Sequence, residues 1–216
     1  MGVTRTLPSP ASAPLPPSAE VVRRGIDGKS WTALAPFQRA DGRGPARWTT
    51  AVELCWDESH LHVRFRCEDH DAWSTFTERD APLWQQEVVE LFLAPGDEVP
   101  KSYFEFEISP AGVLFDARVV NPHGDRLGMT VDMQWNCAGV EWSASPAGEK
   151  QNWLAELSLP WRGLDLSAAP ERLRANFFRI ERPRGGEAEF SCWSPTFTSP
   201  ADFHRPERFG NLSLIG

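Results

Sequence analysis

The sequence predicts an all-β fold, an antiparallel two-sheet β-sandwich, and three observations support this. From Val21 onwards, short segments of alternating apolar and polar residues are separated by Gly, Pro and Asp clusters. The 216 residues include ten Trp and thirteen Phe, which favour half-buried pleated surfaces. No segment keeps a helical period for long, and only the stretch around Pro160–Leu164 suggests a helical turn.

The clearest strand pair is a hairpin formed by Ala51–Trp56 and Leu61–Cys67, joined by the four residues 57–60. Closing this loop pairs Trp56 with Leu61, Leu54 with Val63, Val52 with Phe65 and Thr50 with Cys67. The apolar residues then share one face, and a slip of one residue would scramble that pattern. This register places Cys55 and Cys67 on opposite faces, which argues against a disulfide between them. Other pairings of the four cysteines stay open, but buried or half-buried free thiols are the prediction.

Further segments with strand character continue to the end of the chain, which gives about nine or ten strands. They are Glu87–Leu93, Ser102–Ile108, Val113–Val120, Val140–Ser145, Asn152–Trp161, Arg174–Arg182, Glu189–Ser194 and Phe209–Ile215. Hairpin-length loops between them fit two stacked antiparallel sheets. Residues 1–20 are rich in Pro, Ser and Ala and are predicted to form a flexible tail, so residues 21–216 form the sandwich domain.

The charge and the hydropathy pattern exclude several classes of partner. The net charge is −8 and no Lys/Arg cluster is present, which argues against nucleic acid and anionic membranes. No apolar run approaches the roughly 18–20 residues of a membrane helix. The N-terminus lacks the apolar core of a signal peptide, so we expect a cytoplasmic protein unless a leader precedes this sequence.

An aromatic side chain and three carboxylates form the first candidate site. Trp84 precedes the Glu87–Leu93 strand and offers a flat apolar plate for the face of a sugar ring. Glu90 alternates with the apolar residues of that strand, and a carboxylate accepts strong hydrogen bonds from sugar hydroxyls. Glu105 and Glu107 share one face of the next strand. The alternative is that Trp84 caps the core and Glu90 lies on a solvated face.

This acidic patch is compatible with sugar binding, with calcium coordination or with acid/base hydrolysis through Glu90 or Glu105. Hydrolysis requires a carboxyl group with a raised pKa, and we expect water to reach an open sheet face and prevent that rise. Binding is therefore preferred over catalysis. Arg179 and Arg182 are expected to form surface ion pairs with the acidic face, which contribute little stability.

The Pro-rich loop Thr196–Arg208 is the second candidate region, because loops on a rigid scaffold commonly carry recognition residues. Phe203 and His204 lie in this loop. For Phe203 the alternative is that the ring tucks beneath the loop, and for His204 that the ring is simply solvated.

At these residues the sequence resembles the family 9 carbohydrate-binding modules, including their standalone relatives, from about residue 21 to the end of the chain. The motifs that carry the resemblance are LCWDESHLHV, Trp84 with the VVELF run, YFEFEISPAGVLFDA, NFFRIE, WSPT and FHRPERFGNLSLI. The resemblance implies a jelly-roll-like sandwich in which two aromatic side chains clamp the end of a sugar chain.

The resemblance also implies roles for individual residues. Trp84 matches the first aromatic of the clamp, and Phe203 occupies the position of the second, which is usually Trp. Glu90 matches a carboxylate that bonds the sugar, and Asp69 falls near another polar contact. Glu105 and Glu107 replace an Arg and an Asn of well-described sugar-binding members.

Members of the family often bind structural calcium, for which the acidic loop at residues 68–71 is the candidate. They usually accompany glycoside hydrolases or xylanases, and since this chain has no room for a catalytic domain, we expect a non-enzymatic protein that supports polysaccharide breakdown by partner hydrolases. A haem-binding electron carrier, with Met129 or Met133 and His123 as ligands, is the alternative. A glycoside hydrolase ranks below it.

Overall fold

A computed structural model describes residues 13–25, 30–146 and 152–216, and within them the fold is a two-sheet β-sandwich as predicted. The strands are β1 (Ser18–Val22), β2 (Thr32–Ala33), β3 (Gln38–Arg39), β4 (Thr50–Trp56), β5 (His60–Cys67), β6 (Val88–Pro95), β7 (Ser102–Ile108), β8 (Leu114–Val120), β9 (Thr130–Asp132), β10 (Glu141–Pro146), β11 (Trp153–Pro160), β12 (Arg172–Glu181), β13 (Glu189–Cys192) and β14 (Gly210–Ile215). Short 3₁₀ helices at Leu83–Gln85, Trp161–Leu164 and Pro206–Arg208 connect some of them. The second of these lies where the sequence predicts a helical turn.

The larger sheet has the order β1-β14-β12-β6-β7-β8-β9, with β13 and β3 attached beside β12. The smaller sheet has the order β10-β11-β5-β4-β2. Neighbouring strands are antiparallel except β1 and β14, which pair in parallel. Non-consecutive neighbours such as β12 and β6 bring distant parts of the chain together in the middle of the larger sheet.

The hairpin of β4 and β5 has the predicted register. Leu54 lies opposite Val63 and Val52 opposite Phe65. All four residues are almost completely buried. Cys55 and Cys67 are both free and buried, as the opposite faces of their strands require.

The main core lies between the two sheets and follows from the period-two alternation of the strands. Val52, Leu54 and Val63 of the smaller sheet share one buried cluster with Leu91 and Phe106 of the larger sheet. The side chains of the larger sheet that point the other way do not face open water. They form a second buried cluster, which includes Phe92, Tyr103, Phe115, Phe178 and the loop residue Phe203.

Loops cover this outer face of the larger sheet, and that cover positions the candidate site. Leu83, Phe203 and Phe209 lie outside the strands and are each at most 7% exposed. Since loop side chains supply the second apolar layer, strand residues on the outer face can be buried without contacting the other sheet.

The first strand crosses the predicted boundary between tail and domain at residue 21. β1 begins at Ser18 and its residues pair along β14, from Ser18 opposite Asn211 to Val22 opposite Ile215. Residues 1–12 of the predicted tail lie outside the described residues. In the part of the chain that is described, no helix has the length and apolar character needed to cross a membrane.

Candidate functional site

A cavity of about 380 Å³ opens on the covered outer face of the larger sheet, and we call it the outer cavity. Five of the six residues that the sequence proposes as ligand-binding lie along its wall, and so does His204. These are Trp84, Glu90, Glu105, Glu107 and Phe203. They come from the loop before β6, from β6, from β7 and from the loop before β14, so the fold gathers residues up to 119 positions apart in the sequence.

Trp84 lies at the rim of the outer cavity with 37% of its surface exposed. Its position in the 3₁₀ turn Leu83–Gln85 keeps it out of the β6 ladder, while its buried neighbour Leu83 anchors that turn. The indole contacts Phe115 edge-on, with ring centroids 5.4 Å apart. One part of the ring is therefore supported by the protein and another part is open to a ligand.

Phe203 also lines the outer cavity, but it is only 7% exposed. Its ring stacks on Phe178 with the centroids 4.3 Å apart, and it meets Phe190 edge-on at 6.0 Å. The ring therefore lies beneath its loop, which is the alternative that the sequence leaves open for Phe203. It also forms part of the cavity wall. Phe203 offers a ligand much less free aromatic surface than Trp84 does.

Glu90, Glu105 and Glu107 form one cluster, which we call the glutamate cluster. Glu90 of β6 lies directly opposite Glu107 of β7, and Glu105 precedes Glu107 on the same face by two residues. Carboxylate oxygens of the three residues lie within 4.8 Å of one another. All three side chains are at most 5% exposed.

The expectation that water reaches these carboxylates is wrong, because the loops bury the outer face. Burial raises the pKa of Glu90 and of Glu107 well above the ordinary value, and the neighbouring carboxylates add to the rise. Burial likewise raises the pKa of Glu105 to about 7, with a hydrogen bond from Glu107 acting in the opposite direction. The cluster therefore holds more protons near neutral pH than three exposed carboxyls would.

The positively charged groups around the outer cavity have other partners. Arg126 pairs with Asp202 at 2.7 Å, and Arg182 donates to the backbone oxygen of Trp84 at 3.3 Å. His204 shares a hydrogen bond of 2.8 Å with the hydroxyl of Tyr103. Burial lowers the pKa of His204 to about 4, so the ring is neutral rather than solvated and charged.

Asp69 is the predicted site residue that the structure places elsewhere. Its carboxylate is completely buried and accepts hydrogen bonds from Arg179 at 2.9 Å and from Trp153 Nε1 at 3.2 Å. Arg179 also bonds Glu181 and the backbone oxygen of Glu68. The surface ion pair expected for Arg179 is therefore a buried network that ties β12 of the larger sheet to the end of β5 in the smaller one.

A second acidic group surrounds this network and contains part of the loop at residues 68–71. Oxygens of Asp69, Asp71, Glu87 and Glu181 lie within 4.8 Å of one another. One oxygen of Glu87 and one of Glu181 are buried without a hydrogen-bond partner among the described residues. Burial and the neighbouring carboxylates raise the pKa of Glu87 to about 9. An all-oxygen donor set of this kind suits Ca²⁺.

Several residues of the outer cavity are not among the sugar-binding residues predicted from the sequence. Arg126, Met129, Met133 and Phe190 come from loops or short strands whose approach depends on the tertiary fold. For Ile180, alternation with Arg179 on β12 could have indicated the outer face. His123 is not among the residues that line the cavity, so the structure does not bring the set Met129, Met133 and His123 together there.

Comparison with known proteins gives a family match over most of the chain. Residues 48–214 match the profile of carbohydrate-binding family 9. An extracellular protein of Arthroderma benhamiae is 26% identical over 157 residues, which cover 69% of this chain and 71% of that protein.

Solved structures share the fold at low sequence identity. A candidate carbohydrate-binding protein of Bacteroides uniformis superposes with a TM-score of 0.74 at 17% identity, covering 92% of this chain and 99% of that one. A family 9 carbohydrate-binding module of Caldicellulosiruptor kristjanssonii, solved with cellotriose, gives a TM-score of 0.59 at 13% identity, covering 92% and 94%. The same kind of module solved with glucose gives 0.58 at 13% identity, covering 92% and 96%.

Proposed function

Because this chain belongs to carbohydrate-binding family 9, and so binds carbohydrate, we propose that it holds a sugar or the end of an oligosaccharide in the outer cavity. The observation that carries the proposal is the convergence of a half-exposed tryptophan and a buried acidic cluster on one cavity wall. The binding of cellotriose and glucose by modules of the same fold supports this class of ligand.

Each proposed role follows from the position of the side chain. The open part of the Trp84 ring stacks on the apolar face of a pyranose, while Phe203 closes the opposite part of the clamp as a fixed wall. Glu90, Glu105 and Glu107 orient the ring through hydrogen bonds to its hydroxyls, for which both protonated and ionised carboxyls have suitable atoms. Asp69, held by Arg179 outside the cavity, acts as a support for the scaffold.

The arrangement favours binding over hydrolysis. A glycosidase places its two carboxyl groups on either side of the scissile bond. Here Glu90 and Glu107 form a cross-strand pair and Glu105 lies beside them, so the three carboxyl groups occupy one wall. We propose that the protein is not itself an enzyme and that it supports polysaccharide breakdown by glycoside hydrolases, such as xylanases, carried on other chains.

A second cavity of about 510 Å³ adjoins the first and shares Phe190 and Ala201 with it. Trp48 and Arg47 lie on its wall. An oligosaccharide whose end occupies the outer cavity would run past Phe190 into this second space, which supports a chain end rather than a lone monosaccharide as the natural ligand.

Calorimetric titration of the full chain with glucose, cellobiose and xylobiose tests the proposal. We expect measurable heat with at least one sugar, and loss of that heat in Trp84→Ala. Trp142→Ala is the matched control, because Trp142 is similarly exposed (36%) and does not line the outer cavity. No heat with any sugar, or equal binding by Trp84→Ala, would contradict the proposed site.

We also propose that Asp69, Asp71, Glu87 and Glu181 hold a structural Ca²⁺ beside Arg179. The two unpartnered buried oxygens support this, since an isolated buried carboxylate is costly unless a cation or a proton compensates its charge. Addition of Ca²⁺ to chelator-treated protein should raise the unfolding temperature, and Glu87→Gln should abolish that rise. An unchanged unfolding temperature would contradict the site.

A further inference from the structure

The three carboxyl groups of the glutamate cluster lack a cationic hydrogen-bond partner. Among the described residues, no Arg, Lys or His side chain donates a hydrogen bond to Glu90, Glu105 or Glu107. Arg126 is engaged with Asp202, and Arg182 is engaged with the backbone of Trp84.

Glu107 shows this missing partner most directly. Its side chain is 1% exposed, it lines the outer cavity, and its Oε2 has no hydrogen-bond partner among the described residues. A buried acceptor without a donor is unfavourable, and native structures usually satisfy it by a ligand or water. This atom needs a donor that enters from the cavity.

The geometry specifies the kind of donor. We propose that the sugar recognised in the outer cavity is an amino sugar, whose protonated amine is held by Glu90, Glu105 and Glu107. The inference rests on the proposed carbohydrate-binding function and narrows its ligand class. A primary ammonium has three donors on one atom, which matches three carboxylates whose oxygens lie within 4.8 Å of one another.

A neutral sugar fits this cluster less well than an amino sugar. A hydroxyl can donate to one carboxylate, but it brings no charge to offset three neighbouring acids. Hydrogen bonds between an ammonium and a carboxylate are shorter and stronger than those of a hydroxyl. Glu105 and Glu107 replace an Arg and an Asn of well-described sugar-binding members. This exchange therefore favours a sugar that carries a positive charge.

A divalent metal ion is the competing occupant, and the size and lining of the cavity argue against it. The cavity of about 380 Å³, with Trp84 and Phe115 on its wall, is far larger than an ion and suits a ring.

Proton release on binding follows from the same charges. Because these pKa values are raised, the cluster holds more protons near neutral pH than exposed carboxyls would, and an entering ammonium would favour their ionisation. His204 and Tyr103 also face this region, but the pKa of His204 is lowered to about 4 and that of Tyr103 is raised, so both remain neutral near pH 7. Arg126 and Arg182 line the same cavity, and Asp202 pairs with Arg126.

The test is calorimetry of the full chain at about pH 6.5 in the presence of a chelator, with glucose, glucosamine and N-acetylglucosamine; at this pH an amine of this kind is protonated. We expect glucosamine to bind about tenfold or more tightly than the two neutral sugars. Its heat should change between buffers of different ionisation enthalpy, which reports protons released. N-acetylglucosamine keeps the nitrogen without its charge and is the matched ligand control.

Substitutions in the glutamate cluster test which residues cause the preference for glucosamine. Glu105→Gln and Glu107→Gln should each reduce the ratio of glucosamine affinity to glucose affinity, because the amides preserve shape and remove charge. Glu98→Gln is the control, since Glu98 is exposed in the turn after β6 and does not line the cavity.

The outcomes separate the two proposals. Equal binding of glucose and glucosamine would overturn the amino-sugar inference and leave carbohydrate binding intact. Absence of binding by all three sugars and by the disaccharides would overturn both. Ca²⁺ is also titrated alone, without chelator. The inference would be overturned in favour of a metal if Ca²⁺ binds, if its site is lost in Glu107→Gln, and if glucosamine does not compete with it.

Discussion

Phe203 stacks on Phe178, with ring centroids 4.3 Å apart and 18° between the ring planes. The contact joins the loop before β14 to the outer face of β12, so it fastens the cover of the larger sheet. The same ring that forms a wall of the outer cavity therefore also contributes to the stability of the fold.

Phe203→Ala is expected to destabilise the protein by about 3 kcal/mol, because it leaves a cavity against Phe178. Trp84→Ala should cost less than about 1 kcal/mol, since the indole is 37% exposed and its neighbour Leu83 anchors the turn. Urea unfolding of the two variants checks this. A Phe203→Ala variant as stable as the wild type would show that the loop does not depend on the stacked pair.

Glu105→Gln is expected to make the protein more stable, by an amount that grows with pH. Burial raises the pKa of Glu105 from 4.5 to about 7, so below pH 4.5 the carboxyl is protonated in both states and the variant gains nothing. Between these values the unfolded chain ionises while the folded chain keeps its proton, so wild-type stability falls as pH rises, and the loss is complete above about pH 7.

Unfolding in urea at several pH values between about 4.5 and 8, with chelator present, measures this difference. His204 has the opposite sign, because its lowered pKa makes stability fall as pH drops through 6.5 towards 4, but it is present in both proteins and cancels. Glu98→Gln should show no such trend. A pH-independent difference between wild type and Glu105→Gln would contradict the buried environment of this carboxyl.

Arg179→Met is expected to cost about 3–5 kcal/mol, because it leaves Asp69 and Glu181 buried without their cation. Arg172→Met is the matched control on the same strand. Arg172 pairs with Asp97 at 3.3 Å, both side chains are more than half exposed, and the loss should be below about 1 kcal/mol. Equal midpoints of urea unfolding for the two variants would show that the buried network does not stabilise the sandwich.

The four cysteines are expected to resist thiol reagents in the native state. All are buried and free, and burial raises the pKa of Cys55 to about 11 and those of Cys67 and Cys137 to about 12. Since the thiolate is the reactive form, labelling near pH 8 should be slow in buffer and should reach four thiols per chain in denaturant. Rapid labelling of native protein would mean that at least one thiol is accessible.

The family and the strand pattern could be predicted from the sequence because both depend on local order along the chain. Alternation with period two places Leu54 and Val63 on one face and Glu90 with Phe92 on another, and the β4–β5 register follows from it. The resemblance carried by the motifs around Trp84 and the C-terminal loop is confirmed by the family match over residues 48–214. The position of Trp84 just before β6, and those of Glu105 and Glu107 along β7, were also predictable.

Only the tertiary structure decided what covers each face. Alternation shows that Glu105 and Glu107 point away from the main core, but it does not show that the loop carrying Phe203 closes over them and raises their pKa values. It likewise leaves open that Arg179 reaches between the sheets to bind Asp69. Burial depends on segments more than 90 residues away in sequence, so the fold class follows from local patterns, whereas the charge state of the site depends on long-range packing.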